Sequence, residues 1–209
     1  NILSQGIPAS IGMMMIAVGS YILIYFVGLF GVEAIAGYTS AWRYEQLFFL
    51  PLLGLSTATV SIVGQNYGAK QNQGVFETYK KGIKIGIMVL SLLGLIIFLT
   101  ADIAMNLFTD NANVKQYGSD YLKISALMFP AFPFFFIGNA TFQGLKRAVI
   151  VMYMAIMRFV LMPLIVVSII IYQIGENYNL IFFSLAAMHW IIGLSYYYYC
   201  NKKYKIILN

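Results

Sequence analysis

Two ionisable residues stand in stretches otherwise suited to a membrane interior: Glu45 in "AWRYEQLFFLPLLGLSTATV" and Arg158 in "VMYMAIMRFVLMPLIVV". A charge in hydrocarbon costs about 3 kcal/mol or more, so each is a candidate for handling an ion or a substrate. Glu45 can exchange a proton or hold a cation. The plainer reading is an interfacial carboxylate bonded to another helix or to water. It lies about 19 residues before Gly64, roughly 29 Å along a helix, which places it at the outer rim of the hydrocarbon. Arg43 is two positions away and faces elsewhere. Arg158 stays charged at any physiological pH. It must be paired, bonded to carbonyls or hydrated, so structural pairing and cavity lining both stay open. The other apolar stretches offer no central Asp or Glu, so a partner from another half of the molecule is expected.

Weaker candidates are Asn139 and Gln143, one helical turn apart and so on one face, where they either line a cavity or bond neighbouring helices. His189, beside Trp190, reads as a hydrogen-bonded packing residue more readily than as a proton relay. No HExxH, paired intramembrane aspartates or Ser–His set is present, which argues against a membrane-embedded enzyme. The lone Cys200 makes no internal disulfide or thiolate metal site, and no cofactor is expected.

These groups need elements to position them. The chain has 209 residues, 61% hydrophobic and 10% charged, against about 25% charged in soluble domains. A hydrocarbon core takes about 20 apolar residues per helix. Six such spans can be drawn, at residues 10–30, 43–67, 83–101, 121–143, 149–172 and 180–200, forming a single unit over 1–209. None alternates with period two, so the fold class is an all-α membrane bundle rather than a barrel. The net charge of +6 is no nucleic-acid signal, because the basic residues sit between spans. Lys70, Lys80, Lys81, Lys84, Lys146, Arg147, Lys202, Lys203 and Lys205 follow spans two, four and six. The other side has Arg43, Lys115 and Lys123 beside Glu33, Asp102, Asp110, Asp120 and Glu176. Both termini are therefore expected in the cytoplasm, and the polar segment 102–120 outside. Pro51, Pro130, Pro133 and Pro163 fall inside spans and should kink them. "SYYYYCNKKYK" reads as an interfacial aromatic belt with a basic anchor.

The end of span two, "SIVGQNYGAKQNQG", is not a phosphate cradle. Three residues rather than four separate Gly64 from Gly68, Ala69 precedes Lys70, and a membrane helix rather than a strand comes first. Gly64 and Gly68 have the GxxxG spacing of a close helix approach, and Gly68 suits a left-handed helix cap.

The full run "PLLGLSTATVSIVGQNYGAKQ", with Pro51, Gly54, Gly64, Gln65, Gly68 and Ala69, resembles the signature of multidrug and toxic compound extrusion (MATE) transporters. "FQGLKRAVIVMYMAIMRFVLMPLIVV" resembles that family's fourth-to-fifth helix region, although Gly144 directly follows Gln143 here. The resemblance implies one six-helix lobe of a twelve-helix, two-lobed transporter, best matched by the C-terminal half, with the signature at a cytoplasmic gate. The start on Asn1 fits a partial chain. The implied function is exchange of Na+ or H+ for an amphipathic, cationic organic molecule by alternating access, in a bacterial-type inner membrane. Implied partners are lipid, the substrate, and a missing N-terminal lobe or a second copy. A lipid-linked oligosaccharide flippase of the same superfamily is the alternative, with an enzyme or a scaffold further behind. Acidic residues that some members carry in the first and fourth helices of this half are absent, so coupling would fall to Glu45 or the other lobe.

The lysine asymmetry predicts the outcome of cysteine labelling in a Cys200-free background. Cysteines at Gln73 and Lys202 should react only from the cytoplasm and one at Asn111 only from outside; labelling of Gln73 and Asn111 from one side rejects the six-span map.

Overall fold

A computed structural model describes residues 2–174 and 177–208; Glu176 and the side chain of Lys205 lie outside the described set. The described chain is helical almost throughout, and six helices or helix pairs are long and apolar enough to cross a membrane. The first three spans are the single helices α1 (Ile2–Gly28), α2 (Val32–Gly68) and α3 (Asn72–Phe108). Span four is α4 (Ala112–Ala126) and α5 (Phe132–Gly144), joined through a 3-10 turn. Span five is α6 (Ala148–Ile156) and α7 (Met162–Ile169), each followed by a π turn, and span six is α8 (Tyr178–Leu208). The helices outrun the expected spans. α2 and α3 have 37 residues each, about 55 Å against a ~30 Å hydrocarbon core.

The polar segment 102–120, expected to be partly helical, is two helix ends around a short break capped by Asn111, whose side chain accepts from Asn113 and Val114 N–H. Its polar groups tie helices together. Asp102 of α3 accepts from Ser119 and Lys123 of α4, and Glu33 of α2 accepts from the Asn111 and Asn113 amides.

The bundle has two parts. α2, α3, α4 and α5 pack together, α1 lies along α6 and the π turn after it, and α8 closes against spans four and five. Proline and glycine set the closest approaches. Pro130 has no N–H for the carbonyl four residues back, Ala126, and that oxygen lies 2.7 Å from where a Gly94 Cβ would stand. Pro163 likewise has no N–H for the Phe159 carbonyl, and that oxygen lies 2.4 Å from where a Gly19 Cβ would stand. Glycine on the facing helix makes room for each released carbonyl. The carbonyl of Leu127, in the same break, accepts from Trp190 Nε1 at 2.9 Å. Pro130 and Pro133 thus divide span four rather than merely kinking it.

The glycines of the signature behave otherwise than expected. Gly68 is helical, and the left-handed cap falls on Lys70, with φ 57°. Gln71 N–H reaches back to the Asn66 carbonyl at 2.8 Å. Span four ends identically, with Lys146 at φ 58° and Arg147 N–H on the Phe142 carbonyl at 2.8 Å. A Cβ on Gly68 would meet nothing within 4 Å, and one on Gly64 only the Gly144 carbonyl at 3.9 Å. The tight approach is at Gly144, whose Cβ would meet Val63 Cγ1 at 2.6 Å and the Val60 carbonyl at 2.9 Å. The aromatic belt is also partly internal. Tyr196, Cys200 and Tyr204 are buried, and the Tyr204 hydroxyl donates to the Gly138 carbonyl at 2.9 Å.

One added methyl should therefore separate the two glycines. Gly144→Ala should cost about 1–3 kcal/mol by overpacking, while Gly68→Ala should stay within about 0.5 kcal/mol. Thermal unfolding of the purified protein in detergent reads both; equal shifts would remove Gly144 as the contact that seats span four on α2.

Candidate functional site

Spans one, two, four, five and six enclose a cavity of about 430 Å³, within the range of small-molecule sites. Its lining is legible as helical stripes. α2 contributes Tyr38, Trp42, Glu45 and Phe49, spaced four, three and four apart, and span four contributes Tyr121, Met128, Phe132 and Phe136. Phe182, Leu185 and His189 of α8 close one side, and Gly19 and Ser20 of α1 another.

Both membrane charges line this one space. Glu45 is not at an open rim: it is 3% exposed, and one carboxylate oxygen accepts from the Tyr121 hydroxyl. Tyr121 is held in turn by edge-to-face contacts with Tyr38 and Phe182, each at 4.9 Å. Arg43, two positions from Glu45, is exposed and takes no part.

Arg158 is 2% exposed and sits in the π turn Met157–Leu161. That turn widens the helix where Pro163 has already removed a hydrogen bond. Its guanidinium is ringed by aromatic faces, Phe135 at 4.2 Å, Phe132 at 5.3 Å, Phe159 at 5.5 Å and Phe136 at 5.7 Å. Ring quadrupoles stabilise a cation, by about 2 kcal/mol when desolvated, but they accept no strong hydrogen bond. Nε has no hydrogen-bond partner among the described residues. The ion pairs among the described residues, Lys81–Glu77 and Lys123–Asp102, do not involve it. Of the two readings left open by the sequence, the cavity-lining one describes its position in this lobe.

His189 shares the lining. Its Nδ1 donates to the Leu185 carbonyl at 2.7 Å, since a carbonyl can only accept, which leaves Nε2 as the acceptor of the neutral ring. The ring stands edge-on to Phe132 at 5.5 Å.

The expected polar pair does not join this site. Asn139 is buried against α8, where its Oδ1 accepts from the Tyr196 hydroxyl at 2.8 Å, and Gln143 is exposed near the end of α5. The break in span four ahead of α5 directs their turn toward α8 and the surface rather than toward the cavity. Of the signature residues, Pro51, Gly54, Gln65, Gly68 and Ala69 are exposed and Gly64 is half-buried, so none lines the cavity. Tyr121 is the site residue that sequence reasoning missed. Its spacing with Met128, Phe132 and Phe136 carries the only signal for it.

Comparison with known proteins agrees with this architecture. The MatE family model matches residues 8–170. The chain is 26% identical over 147 residues to "Probable multidrug resistance protein NorM" of Thermotoga maritima, covering 70% of this chain and 31% of that protein. It is 27% identical over 148 residues to "Probable multidrug resistance protein YpnP" of Bacillus subtilis, covering 70% of this chain and 32% of that one. Among solved structures it resembles a MOP superfamily transporter from Pyrococcus furiosus, with TM-score 0.94, 22% identity, and coverage of 100% of this chain and 47% of that one. An outward-facing multidrug resistance MATE family transporter superposes with TM-score 0.93 at 22% identity, covering 99% of this chain and 46% of that chain. The chain thus spans about half the length of these solved structures and matches about a third of each curated relative. A match across most of the chain, on a six-helix bundle of the same shape, places it: the chain belongs to the MatE family.

Proposed function

We propose that this chain forms one lobe, corresponding to the C-terminal half, of a cation-coupled antiporter that exports amphipathic organic molecules across the cell's inner membrane by alternating access. The observation that carries this reading is the cavity. It is an apolar, aromatic space of small-molecule size that places a carboxyl and a guanidinium at buried positions of one MatE-family bundle. Two relatives named as multidrug resistance proteins support export of organic compounds over the flippase alternative.

Glu45 is the coupling residue in this scheme. Among the described residues it is the one carboxyl of the cavity lining, and H+ or Na+ would neutralise it while the cavity faces one side. Tyr121 fixes its orientation. The second lobe, from the same polypeptide or a second copy, would meet the exposed signature face of α2 with Pro51, Gly54, Gln65, Gly68 and Ala69. The length of the chain relative to the solved transporters supports a second lobe, and the lysine-rich turns at Lys70 and Lys146 support a cytoplasmic placement of that end.

Glu45→Gln tests the coupling role, because the amide keeps the volume and still accepts from Tyr121. In vesicles containing the complete natural chain, the variant should insert and fold normally. Its efflux profile should shift by about tenfold in Na+, or about one unit in pH, a typical size for coupling between two sites. Profiles superimposable on wild type would make Glu45 a structural residue.

A further inference from the structure

The proposed cavity is not evenly served by its own polar groups. Glu45 is bonded to Tyr121, whereas the guanidinium of Arg158 is bounded by phenylalanines, with Nε unpartnered among the described residues. A buried cation that cannot deprotonate is costly unless something accepts its hydrogen bonds. Aromatic faces supply part of the stabilisation, but a guanidinium is a planar fork of five donors, and phenyl rings satisfy none of them strongly. A carboxylate from another lobe would have to reach a side chain that this lobe alone buries to 2% exposure. The direct access to Arg158 is through the cavity that it lines.

We propose that the cavity binds amphipathic organic anions, with the anionic oxygens bonded to Arg158 and an aromatic or aliphatic body lying against Phe132, Phe136, Phe49 and Trp42. This rests on the reading of the cavity as a substrate site and reverses the substrate charge expected from the sequence. Oxyanion and guanidinium form charge-assisted, often bidentate, hydrogen bonds, which are strongest where water is excluded. The phenylalanine collar serves both partners, holding the cation flat and offering apolar surface to the body of the ligand. The oxyanion belongs either to a free molecule, as a carboxylate or sulfonate, or to the phosphate of a lipid headgroup. The anion and a cation on Glu45 share no ligand, so exchange of one for the other would have to be enforced by the conformation of the lobe rather than by direct competition.

The test uses two fluorescent probes of one aromatic body, 1-pyrenebutanoate and 1-pyrenebutylamine, titrated into the purified natural chain in phospholipid-free detergent. The carboxylate probe should bind at least about tenfold more tightly than the amine, as expected for charged hydrogen bonds to a guanidinium held among aromatic rings. Arg158→Met should abolish that preference while retaining the amine's affinity, and Arg158→Lys should keep its sign. Among the described residues no carboxylate is left unpaired by Arg158→Met, so the variant should melt no lower than wild type, which is the opposite of what loss of a structural ion pair would give. If Arg158→Met does not fold, the wild-type preference and Arg158→Lys decide the matter. Adding phosphatidylglycerol or phosphatidylcholine separates the sources. Competition with the carboxylate probe identifies a lipid phosphate, and its absence identifies a free anion; both sustain the proposal. Equal binding of the two probes, tighter binding of the amine, or a preference that survives Arg158→Met overturns it and leaves the substrate cavity standing. Binding of neither probe overturns the cavity reading as well.

Discussion

An arginine that cannot lose its charge is enclosed in an apolar bundle, and the surrounding structure reads as the means of keeping it there. Arg158 occupies a π turn, where the helix is wider than an α-helix and its side chains are re-aimed. Pro163 follows and offers no N–H to the Phe159 carbonyl. Gly19 of α1 has no side chain where that carbonyl emerges, so α1 can lie against the turn and close the cavity beside the guanidinium. Four phenylalanines then surround the charge. None of these features alone would hold a cation. Together they place it at the wall of a cavity of small-molecule size.

The same device recurs where spans three and four meet. Pro130 frees the Ala126 carbonyl, Gly94 receives it, and Trp190 bonds the neighbouring carbonyl of Leu127. In hydrocarbon an unbonded carbonyl cannot turn to water, so a donor such as Trp190 matters at a proline break, while a facing glycine makes room for the close approach. This couples helix shape to helix packing. A break in span four fixes the approach of α3 on one side and α8 on the other, and it sets which way Tyr121, Phe132 and Phe136 face.

Much of this was legible in the sequence. Six spans and the buried status of a mid-span arginine follow from hydropathy and the cost of a charge in lipid. The stripe of α2 that carries Glu45 follows from helical period. Three things were not legible. The lengths of α2 and α3 exceed a bilayer, because polar residues such as Glu33 and Asp102 continue a helix outside the hydrocarbon when a neighbour bonds them. The position of the helix caps escaped, since Lys70 and Lys146 adopt the left-handed conformation in place of the glycines near them. Asn139 and Gln143 share a face by spacing, but only the break at Pro130–Pro133 decides where that face points. A local period cannot register a turn in the helix that carries it.

The proposed binding site requires a solvent-reachable cavity inside this lobe, between Glu45 and Arg158. It is tested most directly by alkylation of a cysteine at Gln46, a lining residue of α2, in a Cys200→Ser background, with Met88→Cys on the exposed apolar face of α3 as the membrane-side control. A water-soluble maleimide should react at position 46 and not at 88 in membranes, and 1-pyrenebutanoate should slow the reaction at 46. A position 46 that is unreactive, or whose reaction is indifferent to an occupying ligand, would contradict it.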